Sequence, residues 1–161
     1  DIFLAFPGLL VAITLIAILG PGLNNVIFAL CIMGWVSFAR LVRGQILSLK
    51  NLDYIQAAVA CGISDMRIIL KHLLPNLTTP IIVHSTFGMA GAIVAEAGLS
   101  FLGLGIQPPE TSWGMMLSEG RKFLLIAPHM TTFPGLAIMI VVLGLNLLGD
   151  GLRDKFDTKT T

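Results

Sequence analysis

Residues 123–149 read FLLIAPHMTTFPGLAIMIVVLGLNLLG, a stretch without one charged side chain. A helix needs roughly 20 apolar residues to cross about 30 Å of hydrocarbon, because each backbone N–H and C=O must be satisfied inside the segment. Residues 2–39 and 72–95 are equally free of Asp, Glu, Lys and Arg. Runs of this length predict an all-α membrane protein, a polytopic helical bundle. Composition agrees: 55% of the 161 residues are hydrophobic and 12% charged, with a mean hydropathy of +0.89. A soluble globule of this size cannot hide that much apolar surface. The net charge of +1 gives no reason to expect a nucleic-acid partner. So few charges among so many aliphatics also exclude disorder.

Four spans are predicted, over about 2–19, 24–42, 77–95 and 131–148. Gly20-Pro21-Gly22 ends the first, and a tight turn is expected at Asn24-Asn25. Orientation follows from Lys and Arg. With four spans, both chain ends share a side with the loop over 43–76, and that side holds Arg40, Arg43, Lys50, Arg67, Lys71, Arg153, Lys155 and Lys159. The other side holds only Arg121 and Lys122. The loop 43–76 and the tail 149–161 are therefore expected in the cytoplasm, and the segment 96–130 outside. In the third span Gly88 with Ala92, and Gly91 with Ala95, form two small pairs four residues apart, where another helix backbone is expected to approach. The two cysteines, Cys31 and Cys61, have no metal-type spacing and are expected to be free thiols. Asp1 leads straight into an apolar segment, so the chain is read as part of a longer one.

The cytoplasmic stretch carries the strongest pattern. Gln56-Ala57-Ala58 favours a short helix, Gly62 breaks it, and Ser64 or Asp65 can cap a second helix. Met66, Ile69, Leu70 and Leu73 form an apolar stripe on that second helix, and Pro75 is expected to stop it. From pattern alone this helix–glycine–helix element either lies flat on lipid headgroups or docks another protein.

The spacing of Gln56-Ala57-Ala58, three residues, Gly62, nine residues, His72, one residue, Leu74-Pro75 resembles the cytoplasmic signature of permease subunits of binding-protein-dependent ABC importers. That signature has glutamate where Gln56 stands and isoleucine where His72 stands. A second stretch, Glu96-Ala97-Gly98-Leu99-Ser100-Phe101-Leu102-Gly103-Leu104-Gly105-Ile106-Gln107-Pro108-Pro109 with Ser112-Trp113-Gly114, resembles the dipeptide, oligopeptide and nickel permeases, in their C-type subunit. Phe133-Pro134-Gly135 and Asn146-Leu147-Leu148-Gly149-Asp150-Gly151 fit the same group, so the resemblance covers nearly the whole chain. Such permeases have more spans, and the first two are expected to lie outside this chain.

The resemblance implies a subunit of the prokaryotic inner membrane that forms half of a path for dipeptides, oligopeptides or nickel. It implies a second permease subunit, two cytoplasmic ATP-binding subunits and an extracellular or periplasmic solute-binding protein as partners. ATP hydrolysis belongs to the ATPase partners, so no catalytic residue and no cofactor of this chain's own is implied. The coupling residues it implies are Gln56, Ala57, Ala58, Gly62, Ser64, Asp65, Met66, Ile69, Leu70, Leu74 and Pro75. The external segment, with Trp113 at the interface and its prolines and glycines, is implied to fold back rigidly and receive the binding protein.

Other chemistry is weaker. His84 beside Ser85 points about 100° away on a helix, and Ser100 lacks a Gly-x-Ser-x-Gly frame, so an intramembrane hydrolase is disfavoured. His72, His84 and His129 lack the i, i+4 spacing of a helical metal pair, although His84 or Met89 is a conceivable transient contact for transported nickel. Glu96, the acid attached to a span, is a candidate for the substrate path or an interfacial group at the outer end. The alternative to an importer subunit is a fragment of an ion-coupled secondary transporter or channel. Such a protein needs no docking lever and usually carries paired charges or broken helices at the midplane.

Overall fold

A computed structural model describes residues 6–157. The described residues form helices and connecting turns: α1 (Gly8–Leu19), α2 (Leu23–Leu49), α3 (Asp53–Ala60), α4 (Asp65–Ile68), a π-helical segment (Ile69–Leu73), α5 (Leu74–Phe101), α6 (Trp113–Gly120) and α7 (His129–Asp157). Three helical stretches are long and apolar enough to cross a membrane: Leu23–Leu49, Asp65–Phe101 and His129–Phe156. The helix α1 is shorter at 12 residues, about 18 Å at 1.5 Å per residue. Residues 2–5 of the first expected span lie outside the described residues.

Each long helix overruns the apolar stretch that marks it. The backbone of α2 continues past Arg40 and Arg43 to Leu49, where charged and polar side chains end the apolar pattern without ending the hydrogen-bond ladder. Asn24 and Asn25 are not a turn but the first turn of α2, and the reversal falls at Gly20–Gly22 instead. Asn25 Nδ2 closes it by donating to the carbonyls of Leu19 and Gly20, both at 3.0 Å.

Pro75 does not stop the second cytoplasmic helix, contrary to expectation. The chain runs from Asp65 to Phe101 as one continuous helical rod. Proline removes one backbone donor and crowds the preceding turn. Here the turn ahead of it is the widened π-helical segment, in which Leu74 N–H donates to Ile69 O, five residues back. Such a bulge can relieve the ring's crowding while the rod carries on.

Helix α5 is the spine, packing on α2, α6 and α7, while α1 packs on α2. Two small cores sit at opposite ends. At one end Ala12, Ile16, Val26, Ala29 and Leu99 tie α1 and α2 to the last turns of α5. At the other, Ile55, Ala58, Ile68 and Leu73 join α3 to α4 and the π-helical segment, with Ile46 and Leu49 of α2 packed beside them. Between the cores many large aliphatics are exposed, among them Ile18, Ile140 and Leu147 at 76%, 64% and 71%. Hydrocarbon tolerates that surface, whereas water does not.

Among the described residues the close approaches between helices fall on other glycines than Gly88 and Gly91. Among these residues no atom lies within 4 Å of a Cβ placed on Gly91, and Gly88 meets only the Phe38 ring at 4.0 Å. A Cβ on Gly114 of α6 would instead stand 2.5–2.9 Å from backbone atoms of Ala97, and one on Gly149 of α7 would stand 2.6 Å from Thr86 Oγ1. Spacing alone does not say which small residue faces a neighbour; the approach of α6 and α7 to α5 decides it.

Candidate functional site

Two regions carry the candidate residues: the α3–α4 corner and the clefts along α2 and α5. At the corner, Leu52 occupies the N-cap position of α3 and Asp53 supplies a carboxylate to its first turn, where the exposed N–H groups favour negative charge. Gln56 is exposed, and its Nε2 donates to Lys50 O at 2.9 Å, tying α3 back to the end of α2. Ala57 and Ala58 part company: Ala58 is buried with Ile55 against the bundle, while Ala57 faces out.

Gly62 makes the bend. Its φ of +74° lies in the left-handed region, which side chains with a Cβ adopt only at a cost of roughly 1–2 kcal/mol. Ile63 N–H donates to Ala58 O at 3.2 Å and Gly62 N–H to Val59 O at 2.9 Å, the paired bonds of a Schellman cap. The apolar partner of that cap is Ile63, packed on the inner core. A Cβ at Gly62 would meet nothing within 4 Å among the described residues, so the site demands the turn rather than the space. Ser64 then caps α4 through its backbone, its carbonyl accepting from Arg67 N–H at 2.9 Å and Ile68 N–H at 3.1 Å, with Asp65 in the first turn.

The stripe read as Met66, Ile69, Leu70 and Leu73 divides. Leu73 turns inward with Ile68, both buried. Met66, Ile69, Leu70 and Leu74 face out at 66%, 46%, 55% and 45% exposure, joined by Val59 of α3. The π-helical segment advances the chain by more than 3.6 residues per turn, and α3 covers only one flank of the rod. Pro75 is exposed, and beside it Asn76 Nδ2 donates to His72 O at 2.6 Å and reaches Tyr54 Oη at 3.4 Å. The His72 and Tyr54 rings lie 6.3 Å apart. The corner is thus fixed underneath and apolar on top.

Deeper in the bundle, His84 of α5 meets α2. Its Nε2 is 3.2 Å from Ser37 Oγ, and its ring stands edge-on to Phe38 at 4.7 Å. Neighbouring Ser85 turns elsewhere, donating to Ile81 O at 2.7 Å. His84, Ser37, Arg40 and Gln45 border a cleft of about 550 Å³. Toward the other end, Ser100 Oγ donates to Glu96 Oε1 at 2.6 Å. Glu96 borders a separate cleft of about 530 Å³ with Trp113 and Ser112 of the α6 region. Sequence reasoning missed both pairs. The i, i+4 spacing of Glu96 and Ser100 was available to find the second, whereas Ser37 and His84 meet only through packing of α2 on α5.

Helix α6 was also missed as a helix. Ser112 Oγ accepts from Met115 N–H at 3.3 Å as its N-cap. Ser118 Oγ donates to Phe101 O at 2.8 Å, and Arg121 lies 4.9 Å over the Phe101 ring. The segment after α5 is therefore folded back onto it. His129 begins α7, and Cys31 and Cys61 are free and exposed. Among the described residues no three or more His, Cys, Asp or Glu side chains gather as metal ligands.

Residues 1–161 match the model of the family described as binding-protein-dependent transport system inner membrane component. The chain is 51% identical over 159 residues, 99% of its own length, to the glutathione transport system permease protein GsiD of Shigella flexneri serotype 5b (strain 8401) and to the proteins of that name in Shigella sonnei and Escherichia coli (strain UTI89 / UPEC). The match covers 52% of each, so the chain spans about half the length of these curated relatives. With that family match, and with its long apolar helices, the chain belongs to the binding-protein-dependent transport system inner membrane components, a family of multi-pass membrane proteins.

Proposed function

We propose that this chain is part of a permease subunit of an ATP-driven importer of small peptides, glutathione among them, and that its α3–α4 corner couples the translocation path to separate ATPase subunits. The observation that carries this is the split of the corner into a buried inner face and an uncovered apolar outer face at Val59, Met66, Ile69, Leu70 and Leu74. An ATPase groove is the cover assigned to that face, and the packed underside lets a push on it reach the bundle. The Asp65–Phe101 rod continues from that corner to the far end of the bundle, so a tilt of the corner moves Glu96 and α6 with it.

The remaining assignments follow. The corner and the tail lie in the cytoplasm, by the eight cations on that side, and the α6 segment lies outside, where a solute-binding protein delivers its cargo. A second permease subunit completes the path, two ATP-binding subunits hydrolyse ATP, and Gln56, Ala57, Gly62, Met66, Ile69, Leu70 and Leu74 form the contact or its support. Peptide cargo is favoured over nickel because the relatives are named for glutathione transport.

Reconstituting the full-length permease with its second permease, ATPase subunits and binding protein in liposomes tests this. ATP-dependent glutathione accumulation is expected. Accumulation driven by an ion gradient without ATP would establish the secondary-transporter alternative, and uptake of Ni²⁺ without peptide would overturn the cargo assignment.

A further inference from the structure

Glu96 is half-buried, and one of its oxygens is already engaged. Ser100 Oγ donates to Oε1 at 2.6 Å, and the same hydroxyl accepts from Ile106 N–H at 3.4 Å. Ser100 is 2% exposed, so this anchor is shielded from solvent. Among the described residues no hydrogen bond reaches the other oxygen, Oε2. The carboxylate borders the cleft of about 530 Å³ between α2, α5 and α6, whose remaining walls are Val26, Ile27 and other apolar side chains, the hydroxyl residues Thr111 and Ser112, and Trp113. Among the described residues no Lys, Arg or His borders it.

A carboxylate held in an apolar-walled cleft is costly unless a positive group joins it. An indole bordering the same space adds an aromatic surface that attracts cations. A divalent metal fits poorly, since it asks for several oxygen, nitrogen or sulfur ligands, and the described residues bring no three acids, histidines or cysteines together. A single carboxylate, hydroxyls and an indole suit an organic ammonium.

We propose that this cleft is an ammonium subsite of the translocation path, in which Glu96 receives the protonated amino terminus of a peptide in transit and Ser100 is the positioning residue that holds the carboxylate. The proposal rests on the peptide-importer function above. It is tested in the complete reconstituted importer with radiolabelled glutathione, whose amino terminus is protonated, as the probe, comparing Glu96→Gln, Glu96→Asp and Ser100→Ala. Gln keeps an oxygen for the Ser100 hydroxyl but removes the charge. Uptake by Glu96→Gln is expected to fall about tenfold, Glu96→Asp to recover part of it, and ATPase stimulation by the loaded binding protein and the melting temperature of the complex to stay as in the unmutated protein. Full uptake by Glu96→Gln with a defect in Ser100→Ala would overturn the proposal and make the pair a structural anchor. Loss of Ni²⁺ uptake rather than glutathione uptake in Glu96→Gln would replace the ammonium with a metal. No glutathione uptake by the unmutated importer would remove the peptide function itself, a failure distinct from the other two.

Discussion

The side-chain amide of Gln56 donates to the main-chain carbonyl of Lys50 at 2.9 Å, bridging the end of α2 and the first turn of α3. Glutamate, which the related signature carries at this position, has no proton to give when ionised and would face that carbonyl with a second acceptor. Gln56→Glu is expected to lose about 1 kcal/mol of local stability, read as roughly fivefold faster amide exchange across residues 50–56. Unchanged exchange would mean that the amide is not a tie.

Gly62 is required for its backbone, not for room. With φ at +74° and no neighbour within 4 Å of a Cβ, Gly62→Asn is expected to behave nearly as the parent, since asparagine tolerates this region. Gly62→Val strains the turn by about 2 kcal/mol or more. The expected outcome is a membrane-inserted complex whose ATP hydrolysis no longer drives uptake. The ratio of solute accumulated to ATP hydrolysed in proteoliposomes checks it, and a normal ratio in Gly62→Val would show that the turn is dispensable.

The divided stripe separates folding from docking. Met66→Glu and Leu70→Glu alter exposed positions and are expected to leave the melting temperature within a degree or two while abolishing co-purification of the ATPase subunits. Leu73→Ala removes a side chain that is 7% exposed in the inner core and is expected to cost about 2–4 kcal/mol, seen as a lower melting temperature of the purified permease.

Backbone contact between α6 and α5 predicts a contrast between two glycines. Gly114→Ala would press a methyl group to 2.5–2.9 Å from Ala97 backbone atoms, where neither side can yield without moving a helix. A loss of about 1–3 kcal/mol is expected. Gly91→Ala, with nothing within 4 Å, is expected to be neutral or to gain up to about 1 kcal/mol of helix propensity in the isolated permease. Thermal unfolding in detergent checks both.

Much of this was legible from charge and spacing, and the exceptions have physical causes. The charge-free runs located the cores of α2, α5 and α7 because exclusion of charge from hydrocarbon is a strong signal over 20 residues. The bend at Gly62 was legible because a left-handed turn has few residues that can make it. The length of the rod was not: Pro75 reads as a stop, yet the helix passes it behind a π-helical segment and passes Pro80 as well. Which way Ala58 and Leu73 turn depends on the docking of α3, a tertiary fact absent from the stripe itself. The small pairs at Gly88 and Gly91 had the right spacing, yet α6 and α7 contact α5 elsewhere. Among the polar pairs, Glu96–Ser100 is local and could have been read, whereas Ser37–His84 spans 47 positions and could not.

The native thiol of Cys61, free and exposed beside Gly62, tests the central claim most directly. In the full importer carrying Cys31→Ala, a membrane-impermeant maleimide is applied to inside-out and right-side-out vesicles, with and without the ATPase subunits. The account predicts labelling of Cys61 only in inside-out vesicles stripped of the ATPases, and protection when they are rebound. Labelling from the outer face, or labelling that the ATPases leave unchanged, would contradict it.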